Sequence, residues 1–438
     1  MPFKQAFLGV FLILTARAGF ALEYPVAVGT HAIFDAHTTV VGQFPTKWRY
    51  ELWVLDKRKD AFDAVWAIYS GVGQPNETLA GAIPLTMKAD GSKTFPMERQ
   101  ATYALQEQVE SFVPTLPPQY DQVWRGPPST SGWYCSYQPV EVLADRVRCS
   151  FAQYGVDKID QIAGTETVGE VYFDTRYNWM RELSFSTKQP QMGSAQYSIT
   201  QAKVTLAQVL QRDEKWASER KEEAKEFFNV LKKHDDSLLE ANDRLSDATL
   251  NISATLNLWP KFLEKNVSSR FHQLAKNQYG VLQTSVPSLQ QIWSHRKKVV
   301  GGPSPAWTLK DTQGGTYALQ SFPNPILLLF WTRTSWWSLM ALRELKEFQN
   351  EFQSKGLLIL PINVDNTDRE ATQALTTMGS SVVTLRNTDP NLVMAYGIPL
   401  GMYPSTVLID KDKKIRDVRY GWGNQVKQEL MKRIKDLL

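Results

Sequence analysis

Two serines three residues apart, Ser335 and Ser338, flank Trp336 and Trp337 where the apolar run at 326–330 gives way to an amphipathic segment. That placement puts both hydroxyls on the first turn of a helix, where backbone N–H groups lack intrahelical partners. A hydroxyl there can cap the helix by accepting a backbone N–H. It can also act as a nucleophile, but only where a base removes its proton. The histidines are His31, His37, His234, His272 and His295, so none follows residue 300. A Ser-His pair would need a histidine from elsewhere in the chain. Ser335 therefore reads as an N-cap, and no catalytic residue is assigned.

Cys135 and Cys149 are the only cysteines, 14 positions apart among strand-like segments. In an exported chain an even pair suggests one disulfide, here closing a hairpin; the alternative is two buried thiols. Neither arrangement is catalytic by spacing, which is not Cys-x-x-Cys. His234, His272 and His295 lack metal-ligand spacing. No zinc, nucleotide, haem or phosphate-loop spacing occurs, so no metal and no cofactor is expected.

The elements that must position these residues fall into three regions. Residues 22–202 are β-rich, with large apolar and polar residues alternating at 48–55, 147–154, 169–173 and 179–186. Pro- and Gly-rich loops separate the strands. Tryptophans on one side suggest a curved sheet, sandwich or open barrel, whose aromatics either fill a core or cradle an apolar ligand. Residues 203–298 read as helical. Leu238, Ala241, Leu245, Ala248 and Ile252 form a narrow seam, too short to favour a partner-binding coiled coil. Pro260 opens a further helix that Gly280 ends, and Ser285 with Pro287 starts a short last one. Residues 301–438 alternate strands and helices, beginning with a hairpin across Gly314-Gly315. Strands at 326–331 and 357–364 are apolar throughout, as central parallel strands are. A helix follows the first of them over 335–354 with Leu342, Leu345, Phe348 and Phe352 inward. A hairpin joins 406–410 to 415–420, and a helix over 426–437 closes the chain.

That order, with Pro305-Ala306-Trp307-Thr308-Leu309-Lys310-Asp311 at its start, Phe330-Trp331-x-x-x-Ser335-x-x-Ser338 at the helix and Tyr403-Pro404 before a strand, resembles the TlpA/ResA-like branch of the thioredoxin superfamily. The wider group is the redoxins of AhpC/TSA type. The resemblance covers about residues 301–438. It implies an α/β thioredoxin-like fold in which Ser335 and Ser338 stand at the two active-site cysteine positions. It also implies a cis bond at Pro404, facing that pair and leaving the preceding backbone free to bind an extended peptide. In the family the first thiolate is stabilised by the helix N-terminus and the second cysteine resolves the mixed disulfide. A hydroxyl can form no disulfide, so the frame is present without its redox chemistry. Trp336 and Trp337 replace the small pair usual between the cysteines. Either Trp337 packs inward while Trp336 stands as a single exposed aromatic, or the two form an aromatic platform in a groove with Tyr403 and Pro404. Arg333 could attract a carboxylate there.

The chain has 438 residues, 49 Lys+Arg and 45 Asp+Glu. Residues 1–21 resemble a signal peptide: Lys4, an apolar run at 6–16, and Gly19-Phe20-Ala21 as a cleavage site. Its removal takes Lys4 and Arg17, leaving 47 basic against 45 acidic residues, which gives no electrostatic reason to expect nucleic acid. No later segment is long and apolar enough to span a bilayer, so no transmembrane anchor is expected after removal. The expected protein is extracytoplasmic and multidomain, with a redox-inactive thioredoxin-like domain that binds or scaffolds a protein or peptide partner. The alternatives are an oxidoreductase using Cys135 and Cys149, and an apolar-ligand carrier built on residues 22–202.

Overall fold

The structure is a computed structural model. It describes residues 22–96, 103–129, 132–155, 165–190, 197–243, 254–365, 368–377, 383–387 and 389–438. The signal-like segment 1–21 lies outside the described residues.

Strands β1 (Thr30–Val40), β2 (Thr46–Lys57), β3 (Phe62–Ser70), β4 (Thr78–Met87) and β5 (Lys93–Thr94) run first. Helix α1 (Tyr103–Phe112) follows. Then come β6 (Trp124–Arg125), β7 (Trp133–Val142), β8 (Arg146–Gly155), β9 (Glu166–Asp174), β10 (Met180–Pro190) and β11 (Tyr197–Gln211). Antiparallel pairing of β1 with β11 joins the two runs into one 11-stranded sheet, ordered β5-β4-β3-β2-β1-β11-β10-β9-β8-β7-β6. This is a single sheet and not a sandwich. Its last strand runs to Gln211, past the limit at 202 that the sequence suggests.

One apolar cluster draws on strands from across this sheet, so the sheet curves around it. Helix α1 and the turn after it contribute Val109, Phe112 and Val113. The Phe112 ring lies 5.0 Å from Tyr50 and 5.8 Å from Trp66. The inner face that might cradle a ligand is thus occupied by α1 and by aromatic side chains. The tryptophans do not share one side: Trp66, Trp124 and Trp179 face inward, while Trp53 belongs to a second cluster on the outer face.

That outer face explains why β2 is buried on both sides from Tyr50 to Leu55. Helices α2 (Glu214–Asp243), α3 (Leu258–Lys265) and α4 (His272–Val299) cover it. Phe227, Leu231, Trp259, Phe262, Phe271 and Leu274 pack there against Trp53, Val65 and Tyr69. The seam expected around Leu238 follows α2 only to Asp243; Leu245, Ala248 and Ile252 lie outside the described residues. Gly280 does not end a helix, and Pro287 does not start one: α4 runs through both. Interior Gly and Pro cost a helix about 1 and 3 kcal/mol. Burial of Leu274, Leu282 and Trp293 along the same helix offsets this, at roughly 1.5–3 kcal/mol per large side chain.

The C-terminal part is a seven-stranded mixed sheet. Its strands are β12 (Thr308–Asp311), β13 (Thr316–Ala318), β14 (Ile326–Trp331), β15 (Leu358–Asn363), β16 (Leu385–Arg386), β17 (Ser405–Ile409) and β18 (Ile415–Tyr420). Their order is β13-β12-β16-β15-β14-β17-β18, with β14, β15 and β16 parallel. Helices α5 (Trp336–Phe352), α6 (Asp368–Thr377), α7 (Pro390–Ala395) and α8 (Asn424–Leu437) complete it. Strand β14 is buried throughout because both faces are covered. Leu327, Leu329 and Trp331 meet α5 and α8, while Ile326, Leu328 and Phe330 meet Tyr396 and Val393. The end of α4 packs on this second face through Val299. Beside it, buried Arg296 donates from Nη2 to Asp417 Oδ1 at 2.7 Å, and Arg419 Nε donates to Asp417 Oδ2 at 2.7 Å. Among the described residues, no helix is long and apolar enough to cross a membrane.

Candidate functional site

The fold places Ser335 and Ser338 where β14 delivers the chain into α5. Ser335 has extended backbone, with φ −101° and ψ 114°, and stands as the N-cap of α5. Its Oγ accepts the Ser338 N–H at 3.3 Å and donates to the Tyr403 carbonyl at 3.0 Å. Ser338 is fully buried, and its Oγ accepts the Thr332 N–H at 3.3 Å. Both hydroxyls are therefore engaged with backbone groups of the loop and helix start. A proton already donated to a carbonyl gives a base nothing to remove without first breaking that bond.

The Tyr403–Pro404 peptide bond is cis. The backbone before it is not free, in contrast to what the family resemblance implies. The Tyr403 N–H donates to the Gly401 carbonyl at 3.1 Å, and the Tyr403 carbonyl is taken by Ser335. Burial raises the Tyr403 phenol above its ordinary value.

A polar cluster that the sequence reading did not single out holds the loop between β14 and α5. Asp365 follows β15, next to β14 in the sheet. It accepts the Arg333 N–H at 2.8 Å and Asn363 Nδ2 at 2.8 Å, and it bonds the Thr332 hydroxyl. Arg386 bonds Asn363 and donates from Nη2 to the Asp365 carbonyl at 2.7 Å. Polar residues at and just past the carboxyl end of a parallel strand beside the motif are the signal that could have found Asn363 and Asp365.

Trp336 and Trp337 are both half-buried and pack against the core under α5. Trp336 also stacks on Trp133, at the start of β7, with ring centroids 4.3 Å apart and planes inclined by 18°. The start of α5 thus meets the N-terminal sheet directly. Nothing in the residue pattern of either region announces that contact.

The cysteines lie elsewhere. Both are free and buried, so the expected disulfide is not formed. In the β7–β8 pairing Cys135 stands opposite Gln153 and Cys149 opposite Pro139, so the two thiols are offset along the hairpin instead of facing each other. Burial pushes Cys135 up to about 11 and Cys149 up to about 12. Such thiols are poor nucleophiles at neutral pH, which counts against Cys135 and Cys149 as a redox pair. The histidines near the sheet and helices serve packing. His31 bonds Glu51 at 2.9 Å while Arg212 donates to its Nδ1 at 3.3 Å, so Nε2 carries the proton donated to Glu51. His234 Nδ1 accepts from Trp259 at 3.2 Å. Among the described residues, no group of three His, Cys, Asp or Glu is placed to hold a metal ion.

Residues 300–418 match the model of the AhpC/TSA family, and the C-terminal α/β region is a redoxin-type thioredoxin fold. Among curated proteins, none matches the chain. Two solved structures illustrate the likeness. The thioredoxin domain of a thiol-disulfide oxidoreductase from Bacteroides vulgatus is 22% identical over 31% of this chain and 97% of its own, with a TM-score of 0.28. A thiol:disulfide interchange protein DsbE from Chlorobium tepidum is 19% identical over 32% of this chain and 96% of its own, with a TM-score of 0.30.

Proposed function

We propose that this chain is an exported, multidomain protein whose redoxin-type domain is redox-inactive and serves binding or scaffolding. The observation that carries this reading is the closed pair at the motif. Each hydroxyl of Ser335 and Ser338 is bonded to backbone, and the family resemblance puts these serines at the positions of a dithiol. Serine oxygens cannot form a disulfide or pass two electrons. The thiols of Cys135 and Cys149 are buried and apart, so they do not replace the missing pair. Export rests on the signal-like residues 1–21, with Lys4 before the apolar run and Gly19-Phe20-Ala21 after it.

The test grafts the missing sulfur. Insulin reduction with dithiothreitol is measured for the wild type and for a double variant, Ser335→Cys with Ser338→Cys. Wild type should be no faster than the reagent alone, and the double variant should accelerate the reaction. A wild type that catalyses the reaction would refute redox inactivity. A folded but inert double variant would refute the placement of the site.

A further inference from the structure

Trp133 is built to be held in one place. Its N–H donates to Ser129 Oγ at 3.1 Å, and its carbonyl accepts the Ser129 N–H at 2.6 Å. The Gly132 N–H bonds the Ser129 carbonyl at 2.8 Å, and Gly132 has φ +82°, a conformation that favours glycine. Bonds from Ser129 therefore hold Trp133 at the head of β7. On the other side, Trp336 is fixed by the first turn of α5 and by the core beneath it. Two preordered rings meeting at 4.3 Å and 18° lose little conformational freedom on contact.

The remainder of the site excludes the other usual mode of recognition. An extended peptide would need the Tyr403 N–H and carbonyl for strand-like pairing. Both are already engaged, by Gly401 and Ser335. Side-chain stacking on Trp336 is another mode of contact, and Trp133 takes it. The buried Arg296–Asp417 pair ties α4 to β18 and so holds the same bodies together at a second place. A tethered occupant acts at an effective concentration of the order of millimolar.

We infer that Trp133 is the resident ligand of the thioredoxin-like site: the N-terminal sheet docks on the motif in cis by aromatic stacking, and the motif is reached only when this stack opens. The inference rests on the reading of Ser335 and Ser338 as the degenerate active-site pair. It names the partner of that site as a segment of the same chain, recognised by an indole face instead of by main-chain pairing.

Two measurements test it with the full chain. The first is circular dichroism of the indole pair. Stacked indoles couple their transitions, so Trp133→Ala and Trp336→Ala should each abolish one and the same couplet, and the double variant should lose nothing more. Trp133→Phe, which keeps an aromatic ring, serves as the folding control. A couplet that survives Trp133→Ala in folded protein overturns the inference. The second adds Trp133→Ala to the Ser335→Cys, Ser338→Cys variant. Opening the stack should raise insulin reduction about 5-fold, the factor that corresponds to roughly 1 kcal/mol for an aromatic pair beyond its buried area. An unchanged rate overturns the inference and leaves redox inactivity of the wild type standing. If both dithiol variants are folded and inert, the reading of Ser335 and Ser338 fails, and the couplet alone decides the stack.

Discussion

The Ser335 hydroxyl donates to the Tyr403 carbonyl at 3.0 Å, so one side chain joins the start of α5 to the peptide that precedes Pro404. The same oxygen caps the helix by accepting the Ser338 N–H. Ser335→Ala removes both bonds. Loss of an N-cap costs about 1 kcal/mol, and a partly buried carbonyl left without its partner adds on the order of 1 kcal/mol. Urea unfolding of this variant should show a loss of about 2 kcal/mol with an unchanged slope. A loss below about 0.5 kcal/mol, the scale of a neutral surface change, would show that the hydroxyl does not hold this junction.

Asp417 and Arg296 should respond unequally to substitution. Asp417 accepts from both Arg296 and Arg419, and all three are buried. Desolvation lowers the Arg296 guanidinium from its ordinary value, which shows how poorly the site solvates a cation by itself. Asp417→Ala removes the carboxylate that two buried cations share, although Arg419 keeps its bond to Glu429; breaking a buried pair in this way costs roughly 3–5 kcal/mol. Arg296→Met leaves Asp417 paired with Arg419 and fills the space with an apolar chain. Its cost should be smaller by at least about 1 kcal/mol, since apolar replacement of a buried ion pair is often neutral. Thermal unfolding of the two variants side by side gives the ranking; the reverse order would refute the account of the junction.

The parts of this architecture that were legible in the sequence are those with local causes. The run at 326–331 is apolar throughout because both faces of β14 are covered, and Ser335 caps α5 because the helix starts one residue later. Helix α4 was misread because Gly280 and Pro287 are strong local signals that packing overrides. The cysteines were misread because spacing along a hairpin does not reveal register, and β7 carries an irregularity at Pro139 and Glu141. The stack of Trp133 on Trp336 joins distant parts of the chain through tertiary docking alone. Asp365 stood in plain view past a central strand, but its partners Arg333 and Arg386 come from separate loops and strands.

The thiols of Cys135 and Cys149 titrate at about 11 and about 12 in the folded protein because both are buried. In the unfolded chain a thiol titrates near 8.5. The folded values are raised, so burial of the neutral thiols contributes stability in full below roughly pH 8.5. That contribution is lost as pH rises through the window up to the folded values. Replacing both cysteines by alanine should flatten the fall of stability across this window. At neutral pH a disulfide reagent should label the native protein no faster than it unfolds. Rapid labelling of both thiols in folded protein would contradict their burial.

Gln106 makes the opposite kind of prediction, since a substitution there should stabilise. Its side chain is fully buried on α1, a turn before Val109, and among the described residues neither its amide nitrogen nor its amide oxygen has a hydrogen-bond partner. Leaving a buried polar group unpaired costs roughly 1–3 kcal/mol. Methionine has nearly the same length and flexibility and carries no group that needs a partner. Gln106→Met should therefore raise the unfolding free energy by about 1 kcal/mol or more, with the fold unchanged. Gln106→Glu should do the reverse, because a carboxylate at this position would either be buried charged or shift its pKa to become neutral. Urea unfolding of the three proteins at neutral pH should rank Met above Gln above Glu. A destabilised Gln106→Met protein would show that the amide is satisfied after all, by a group that the methionine displaces.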